Sequence, residues 1–366
     1  INLLLGSDSV KRCLLLISIL LAIVIVFTAC TSMGKMGDNI SVKDDNQYLD
    51  EKTISIRDYY PFRENTIMRY EGIGNEFAQK EIIFEFIEGD KAQIKIFNPG
   101  TTTVNILEYN GGELINTFSE SEFYHIESML DMDRENNEVI LKEPLEVGTI
   151  WNIPGGYKRS ITGVDVDIET PYGKFKALEI VTEFEGDRKE YDYYVKGIGP
   201  VASIYNDGNF ETMSLLKEIE NMPYNMEIRF YYPLYSSIAT AYVDEEIQFS
   251  TNESIENILE YKFKNPPSDG LIPPISQNTR INSIELDRGN RTVRIDFSNE
   301  LLKDMNVGSS LEAEMLKSIA NTLGNYYRVE KVYISTEGIP YNSGHFSIKK
   351  DEYFTVDEKD TIEFKD

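Results

Sequence analysis

The sequence predicts an α+β chain in two parts. An antiparallel β-rich region, a curved sheet or partial barrel, covers residues 56–220, and a compact α+β unit covers residues 224–348. Three observations predict this. From 56 to 220, apolar and polar residues alternate in short runs bounded by turn residues, the period-two signature of half-buried strands. After 224, such strands are interleaved with two stretches of helical spacing, each led by a Ser-x-x-Glu signature. Asn221-Met222-Pro223 punctuates the change of pattern.

Ahead of both parts the composition is different. Lys11 and Arg12 precede the apolar run Cys13 to Val26, and Phe27-Thr28-Ala29-Cys30 closes it. Positive charge, an apolar core and small residues are the layout of a secretory signal. The core is shorter than the about 20 residues a bilayer span needs. Its end at Ala29-Cys30 resembles a bacterial lipobox, with Phe27 standing where that motif carries Leu. The resemblance implies a diacylglyceryl group on the Cys30 thiol and cleavage just before it. Residues 1–30 are therefore expected to be a lipoprotein signal peptide. Val10 reads as a GTG start, which would make residues 1–9 an artefact of the gene prediction. Residues 31–55, polar and acidic around Asp44-Asp45, are expected to form a flexible tether.

Composition narrows the chemistry. No cysteine follows Cys30, so a mature chain has neither structural disulfides nor a cysteine metal site. The two histidines, His125 and His345, stand far apart in sequence, which argues against a histidine zinc site. With 36 basic and 62 acidic residues the net charge is 36 − 62 = −26. That charge repels nucleic acid and anionic headgroups, so no nucleic-acid partner is expected. Membrane attachment falls to the lipid, since two or three acyl chains anchor stably.

Within the β-rich region, Ile82, Phe84 and Phe86 share one face of a strand, as do Ala92, Ile94 and Ile96. Val164 to Glu169 reads as a strand with valines inward and acids outward, turned at Pro171-Tyr172-Gly173 and answered by Phe175 to Phe184. Glu190 to Val195 is a further strand, closed at Gly197 to Pro200. A helix is expected near Ser121 to Leu130, the one helix in an otherwise all-strand region. The run around Glu169 to Phe175, with Tyr194 to Gly199, resembles a β-rich module of other lipoproteins of spore-forming bacteria. That resemblance implies no activity.

In the C-terminal unit, Glu227 to Tyr232 and Ala239 to Phe249 read as strands. Ser250-Thr251-Asn252-Glu253 predicts a capping box, followed by Ile255, Ile258, Leu259 and Phe263 at helical spacing and a stop at Pro266-Pro267. Leu271 to Ile275 forms an extended Pro-Pro linker. Ile284 and Leu286 pair across Asp287 to Asn290 with Val293, Ile295 and Phe297. Ser309 to Glu312 predicts a second capping box, for a helix burying Leu311, Met315, Ile319, Ala320 and Leu323. Val329 to Ser335 closes the unit as a strand, and residues 349–366 are left as an acidic tail.

This order resembles the GerMN domain of the sporulation and germination protein GerM family. The carrying pieces are Ile228 to Pro233, Asn265 to Pro267, Leu271 to Ile275, Thr279 to Ile284 and Val293 to Ser298. Gly308 to Ser310, Ser318 to Leu323 and Val329 to Ile334 complete the set. The family's Gly after the last strand is displaced to Gly338 by Ser335-Thr336-Glu337. The resemblance implies a small module of envelope lipoproteins, often tied to spore formation and similar to ring-building motifs, with no catalytic residues to carry over.

Each motif that hints at chemistry fails a requirement. Asp131 to Glu135 suggests a calcium loop, but Asn136 and Lys142 stand where Gly and Glu are needed; a solvated helix end is the expectation. Ser214-Leu215-Leu216-Lys217 sits in a predicted strand, whereas a penicillin-binding Ser-x-x-Lys needs a helix start and a later Lys-Thr-Gly. Acidic pairs such as Glu183/Glu185 and Asp165/Asp167 are expected by chance in so acidic a chain. Tyr59-Tyr60-Pro61-Phe62 and Tyr231-Tyr232-Pro233-Leu234-Tyr235 could stack on peptidoglycan sugars, although strand aromatics more often pack in cores. His125 and His345 are expected as surface or hydrogen-bonding residues.

The sequence thus leads to a non-enzymatic, lipid-anchored interaction or scaffold protein without cofactor or metal, in sporulation or germination. It is expected on the extracytoplasmic face of the cytoplasmic membrane or in the forespore intermembrane space. Its expected partners are envelope or spore-assembly proteins and peptidoglycan. Cys30 is its lipidation site, and Tyr231, Tyr232 and Tyr235 its candidate interaction surface. The alternatives are a lipoprotein whose curved sheet holds an apolar or glycan ligand, and a cell-wall hydrolase.

Overall fold

Twelve antiparallel strands run from residue 66 to residue 221, and their order forces the sheet to curl. The computed structural model describes residues 54–365. Residues 1–53, on which the expected signal peptide, Cys30 and most of the expected tether fall, lie outside the described residues. The strands are β1 (Thr66–Ile73), β2 (Lys80–Glu88), β3 (Lys91–Phe97), β4 (Thr102–Asn110), β5 (Glu113–Ser121) and β6 (Glu138–Lys142), then β7 (Ile150–Asn152), β8 (Lys158–Thr170), β9 (Gly173–Glu183), β10 (Lys189–Val195), β11 (Gly199–Asn206) and β12 (Glu211–Asn221). Their spatial order is β6-β5-β4-β3-β2-β1-β12-β11-β10-β9-β8-β7. The two edge strands, β6 and β7, are therefore neighbours in sequence. A flat sheet of this size would hold its edges roughly 50 Å apart, whereas residues 143–149 reach at most roughly 28 Å when extended.

Side chains bridge the seam. Trp151 Nε1 donates to the Val139 carbonyl at 2.9 Å, and Arg159 donates to the same oxygen at 2.9 Å and to Glu138 Oε1 at 2.8 Å. The interior is filled with aromatic side chains. Tyr60, delivered by the one-turn helix α1 (Ile56–Tyr59), lies 6.3 Å from the Tyr194 ring, and the Tyr70 hydroxyl donates to the Pro200 carbonyl at 2.8 Å. Phe84, Tyr109 and Trp151 complete this core.

Four expectations in this region are corrected. Phe86 does not share a face with Ile82 and Phe84: the register shifts between Phe84 and Phe86, and Phe86 turns to the other side of the sheet, where its ring lies 6.0 Å from Phe249. Residues 122–130 are not a helix: they cross the outside of the sheet without regular secondary structure, because side chains of the sheet and Tyr326 from the C-terminal half supply their hydrogen-bond partners. Met129 N donates to Gln93 Oε1 at 2.7 Å, while Lys95 Nζ and Gln93 Nε2 donate to the carbonyls of His125 and Glu127 at 2.5 and 2.8 Å. The loop around Asp131 is consequently no helix end. The Val164 to Glu169 alternation is also broken, since the register shifts between Gly163 and Val166 and Asp165 takes φ 59°. That bulge leaves Val164 exposed instead of inward.

The C-terminal half contains β13 (Tyr224–Pro233), β14 (Thr240–Phe249), α2 (Ile255–Lys264), β15 (Ile281–Asp287), β16 (Thr292–Phe297), α3 (Glu300–Asp304), α4 (Ser309–Tyr327) and β17 (Lys331–Thr336). Short strands β18 (Ile339–Pro340), β19 (Phe354–Thr355) and β20 (Ile362–Glu363) follow. The β15–β16 hairpin pairs Ile284 with Ile295 and Leu286 with Val293, and β16 runs parallel to β17. Ile258, Leu259, Phe263, Ile319, Leu323 and Val332 all bury in one core.

Strand content is 48% and helix 14%, so the described chain is mostly β and the α+β description fits only its C-terminal half. Neither predicted capping box caps its helix. Ser250 and Glu253 close a turn ahead of α2, whose cap is Ser254, accepting from Asn257 N at 3.3 Å. Gly308 stands at the N-cap of α4 and offers no side chain, and Glu312 is instead buried. Leu311 is only half-buried; Leu316 joins the core in addition to the expected residues. Residues 349–365 are no free tail: β19 pairs with β17, and β20 with β14.

The two halves interlock as one compact unit. Asn65 and Thr251 exchange hydrogen bonds at 2.8 and 2.9 Å, and the Asn252 amide grips both backbone groups of Ile87 at 2.8 and 3.1 Å. Ile126 N donates to the buried Tyr326 hydroxyl at 2.8 Å, tying the crossing segment to the end of α4.

Candidate interaction surface

The three tyrosines proposed from sequence do not share a surface. Strand β13 alternates its side chains across a sheet covered on both faces, so Tyr231 and Tyr232 are buried, at 1% and 0% exposure. Tyr232 donates to Glu245 Oε1 and to the Lys262 carbonyl, both at 3.2 Å, which makes it core. Tyr231 is closed off by the C-terminal segment, and its hydroxyl donates to Glu358 Oε1 at 2.7 Å. Tyr235 lies beyond Pro233 on the β13–β14 loop and is 79% exposed, with Ile238 at 71% on the same loop. The loop is held at its base: Tyr235 N donates to the Gly270 carbonyl at 2.9 Å, and Ile272 N to the Pro233 carbonyl at 2.8 Å. Two large side chains are thus presented to solvent on a fixed support. Beyond the loop's base, Pro273, Pro274, Ile275, Leu301, Met305 and Met315 line an open hollow of about 290 Å³. Composition could not separate these tyrosines, but the offset from Pro233 could, because Pro ends the strand before Tyr235.

Three titratable clusters pair within the fold. A buried pair, Lys95 and Glu85, lies at 2.5 Å with Gln93 also donating to Glu85 at 2.8 Å. His125 is buried between the rings of Phe123 and Tyr327, and its Nε2 meets Glu127 Oε2 at 2.9 Å. Burial pushes the His125 pKa down, against the pull of Glu127. Arg288 extends this chain to Glu127 at 2.8 Å. Histidine 125 is therefore a hydrogen-bonding core residue, not a surface one. His345 is half-exposed and its Nδ1 meets Glu312 Oε2 at 2.7 Å, while Tyr341 donates to Glu312 Oε1 at 2.8 Å. Burial raises the Glu312 pKa, but Ser343, His345 and Tyr341 outweigh it and hold the carboxyl below its usual range.

The motif residues fall in unrelated places. Ser214 lies in β12 and donates to the Ala78 carbonyl. Asp167 is an exposed partner of Lys176, and Glu183 of Lys189. Among the described residues no group of three or more His, Cys, Asp or Glu is placed to hold a metal ion. Inside the sheet, Asp192 lies near Glu190, Arg159 and Lys80, and burial with the Glu190 charge pushes its carboxyl up to about 7. Tyr59 and Tyr60 are buried, so that aromatic run packs the sheet interior.

Residues 229–342 match the family described as Germane, sporulation and spore germination. The C-terminal half therefore resembles the GerMN domain, as its sequence pieces indicated. Among solved structures, the tandem GerMN domains of the sporulation protein GerM from Bacillus subtilis align at 16% identity and TM-score 0.28, covering 36% of this chain and 46% of that one. The first GerMN domain of the same protein aligns at 18% identity and TM-score 0.28, covering 37% of this chain and 99% of that one. A candidate lipoprotein from Clostridium perfringens aligns at 18% identity and TM-score 0.25, covering 37% and 89%. The chain thus spans under half the length of the tandem GerM structure. No curated protein matches the chain. No helix among the described residues is long and apolar enough to cross a membrane.

Proposed function

We propose that this chain is a non-enzymatic envelope lipoprotein that acts by contact, in sporulation or germination. The carrying observation is the match of residues 229–342 to the sporulation and germination family. The lipobox-like end at Ala29-Cys30 supports an anchor on the extracytoplasmic membrane face or in the forespore intermembrane space. The presented pair Tyr235 and Ile238 is the contact surface, and its partner is an envelope or spore-assembly protein. That partner offers an apolar pocket with a basic rim, because the chain's charge of −26 favours cationic surroundings on approach. Peptidoglycan is a weaker partner in this reading, since the tyrosines thought to stack on sugars are mostly buried.

Metabolic labelling with a fatty-acid probe, combined with deletion of the gene, tests this. We expect label that disappears in Cys30→Ser, and a defect in spore formation or germination. An unlabelled wild-type protein together with normal sporulation, germination and envelope assembly would refute it.

A further inference from the structure

The last residues of the chain occupy a groove that other elements build. It runs along α4 and onto the edge of β14, and its sockets are met in sequence order. Gly324, inside α4, leaves the space that Val356 fills; a Cβ there would collide with the valine. Glycine inside a helix is destabilising relative to alanine, so the vacancy calls for a reason, and Val356 supplies it. One turn earlier, Asn321 is fully buried and uses both ends of its amide on one residue. Its Nδ2 donates to the Asp357 carbonyl at 2.7 Å, and its Oδ1 accepts from Asp357 N at 2.8 Å. That grip reads backbone, as a strand would. Tyr231 and Asn325 then donate to Glu358 Oε1 at 2.7 and 3.1 Å. Finally Phe364 N donates to the Tyr242 carbonyl at 3.0 Å, and its ring lies over Gly270.

On the body side Asn321, Gly324 and Tyr231 are buried, whereas the occupant is thinly attached. Residues 357–360 are exposed. The ladder to β14 joins only Ala241 with Ile362 and Tyr242 with Glu363, and the ladder to β17 is equally short. The connecting residues 349–352 are exposed as well. Few buried contacts and short ladders mark a segment that opens without global unfolding.

We propose that this groove is a receptor for an extended chain, and that its occupant in trans is residues 354–365 of a second copy. The second copy carries the same Val356, Asp357, Glu358 and Phe364, so every socket is satisfied by the same bonds as in cis. Exchange of an identical element between copies closes an assembly at low cost, with residues 349–352 as the hinge. Such an exchange requires only the chain itself and is independent of the envelope role.

A complementation experiment on the full chain in detergent tests it. Asn321→Ala breaks the receptor and leaves the segment intact; the double variant Val356→Ala, Phe364→Ala breaks the segment and leaves the receptor intact. Mass-resolved size-exclusion chromatography should show each chain monomeric alone and a one-to-one heterodimer on mixing. Folded chains that stay monomeric in the mixture overturn the proposal, as does a dimer formed by either variant alone. Hydrogen exchange on the wild type guards against variants that fail to fold. Amides of residues 356–364 should exchange at least roughly tenfold faster than those of α4; equal protection would mean the segment never leaves, and would also overturn it.

Discussion

Replacing Lys95 by Met probes the junction between the halves with one change. Lys95 is 2% exposed and Glu85 0%, so the ammonium removed is the main compensation for a carboxylate that water does not reach. Breaking a buried pair by deleting one partner costs about 3–5 kcal/mol. The lost bond to the His125 carbonyl, at 2.5 Å, adds about 1 kcal/mol. Gln93 still donates to Glu85 and returns part of this, so we expect a loss of about 3–5 kcal/mol in urea unfolding. The double variant Lys95→Met, Glu85→Leu removes the orphaned charge, and it should recover most of the loss because an apolar pair of similar size is often neutral. Urea titration followed by tyrosine and tryptophan fluorescence measures both. A loss under about 1 kcal/mol for the single variant, or a double variant no better than the single, refutes the reasoning.

Tyr326→Phe removes the oxygen that accepts from the buried Ile126 N–H, and should cost about 1–3 kcal/mol in one transition, since that donor has no route to water; two resolved transitions in a thermal scan would show that the halves melt separately. Arg159→Met should loosen the seam, so that amides of β6 exchange faster while those of β10 are unchanged. Asp192 carries a folded pKa of about 7, above its unfolded value, so the native state holds the extra proton. Its contribution to stability is therefore present below the unfolded pKa and falls as pH rises to about 7; Asp192→Asn should flatten that decline in melting temperature between pH 4 and pH 7. Glu312 runs the other way: its folded pKa is lowered, so its contribution is held above the unfolded value and lost as pH falls through the folded one, and Glu312→Gln should melt with less loss on acidification.

How much of this was legible in the sequence depends on where each segment finds its hydrogen bonds. Alternation at Ala92 to Ile96 reports local side-chain direction and holds, whereas at Ile82 to Phe86 the strand is right but a bulge turns Phe86 to the face opposite Ile82 and Phe84. Helical spacing at Ile255 to Phe263 is equally local, and so is the hairpin that pairs Leu286 with Val293. Segment 122–130 shows the limit. Its partners, Gln93, Lys95 and Tyr326, lie 30 or more residues away, and no local pattern announces them. The Ser-x-x-Glu signatures misled for a related reason: Glu253 bonds inside a turn, and Glu312 is drawn to Tyr341 and His345 from a distant loop.

The candidate site was half legible. Exposure of Tyr235 follows from Pro233 ending its strand, but burial of Tyr231 depends on a C-terminal segment whose acidic composition suggested a solvated tail. Residues 354–365 carry four apolar anchors, Phe354, Val356, Ile362 and Phe364, too sparse a signal against Asp357 to Asp360. The socket that fixes it, Gly324, reads in sequence as a weak helix position and nothing more.

Contact through a presented loop is the centre of the functional reading, and site-specific photocrosslinking in living cells tests it most directly. A crosslinking amino acid replaces Tyr235 in one strain and the fully buried Tyr341 in a control strain. We expect the Tyr235 position to form discrete adducts with envelope proteins during sporulation or germination, and the Tyr341 position to form none. Absence of adducts at Tyr235 in every growth stage, with the protein present at the membrane, would contradict it.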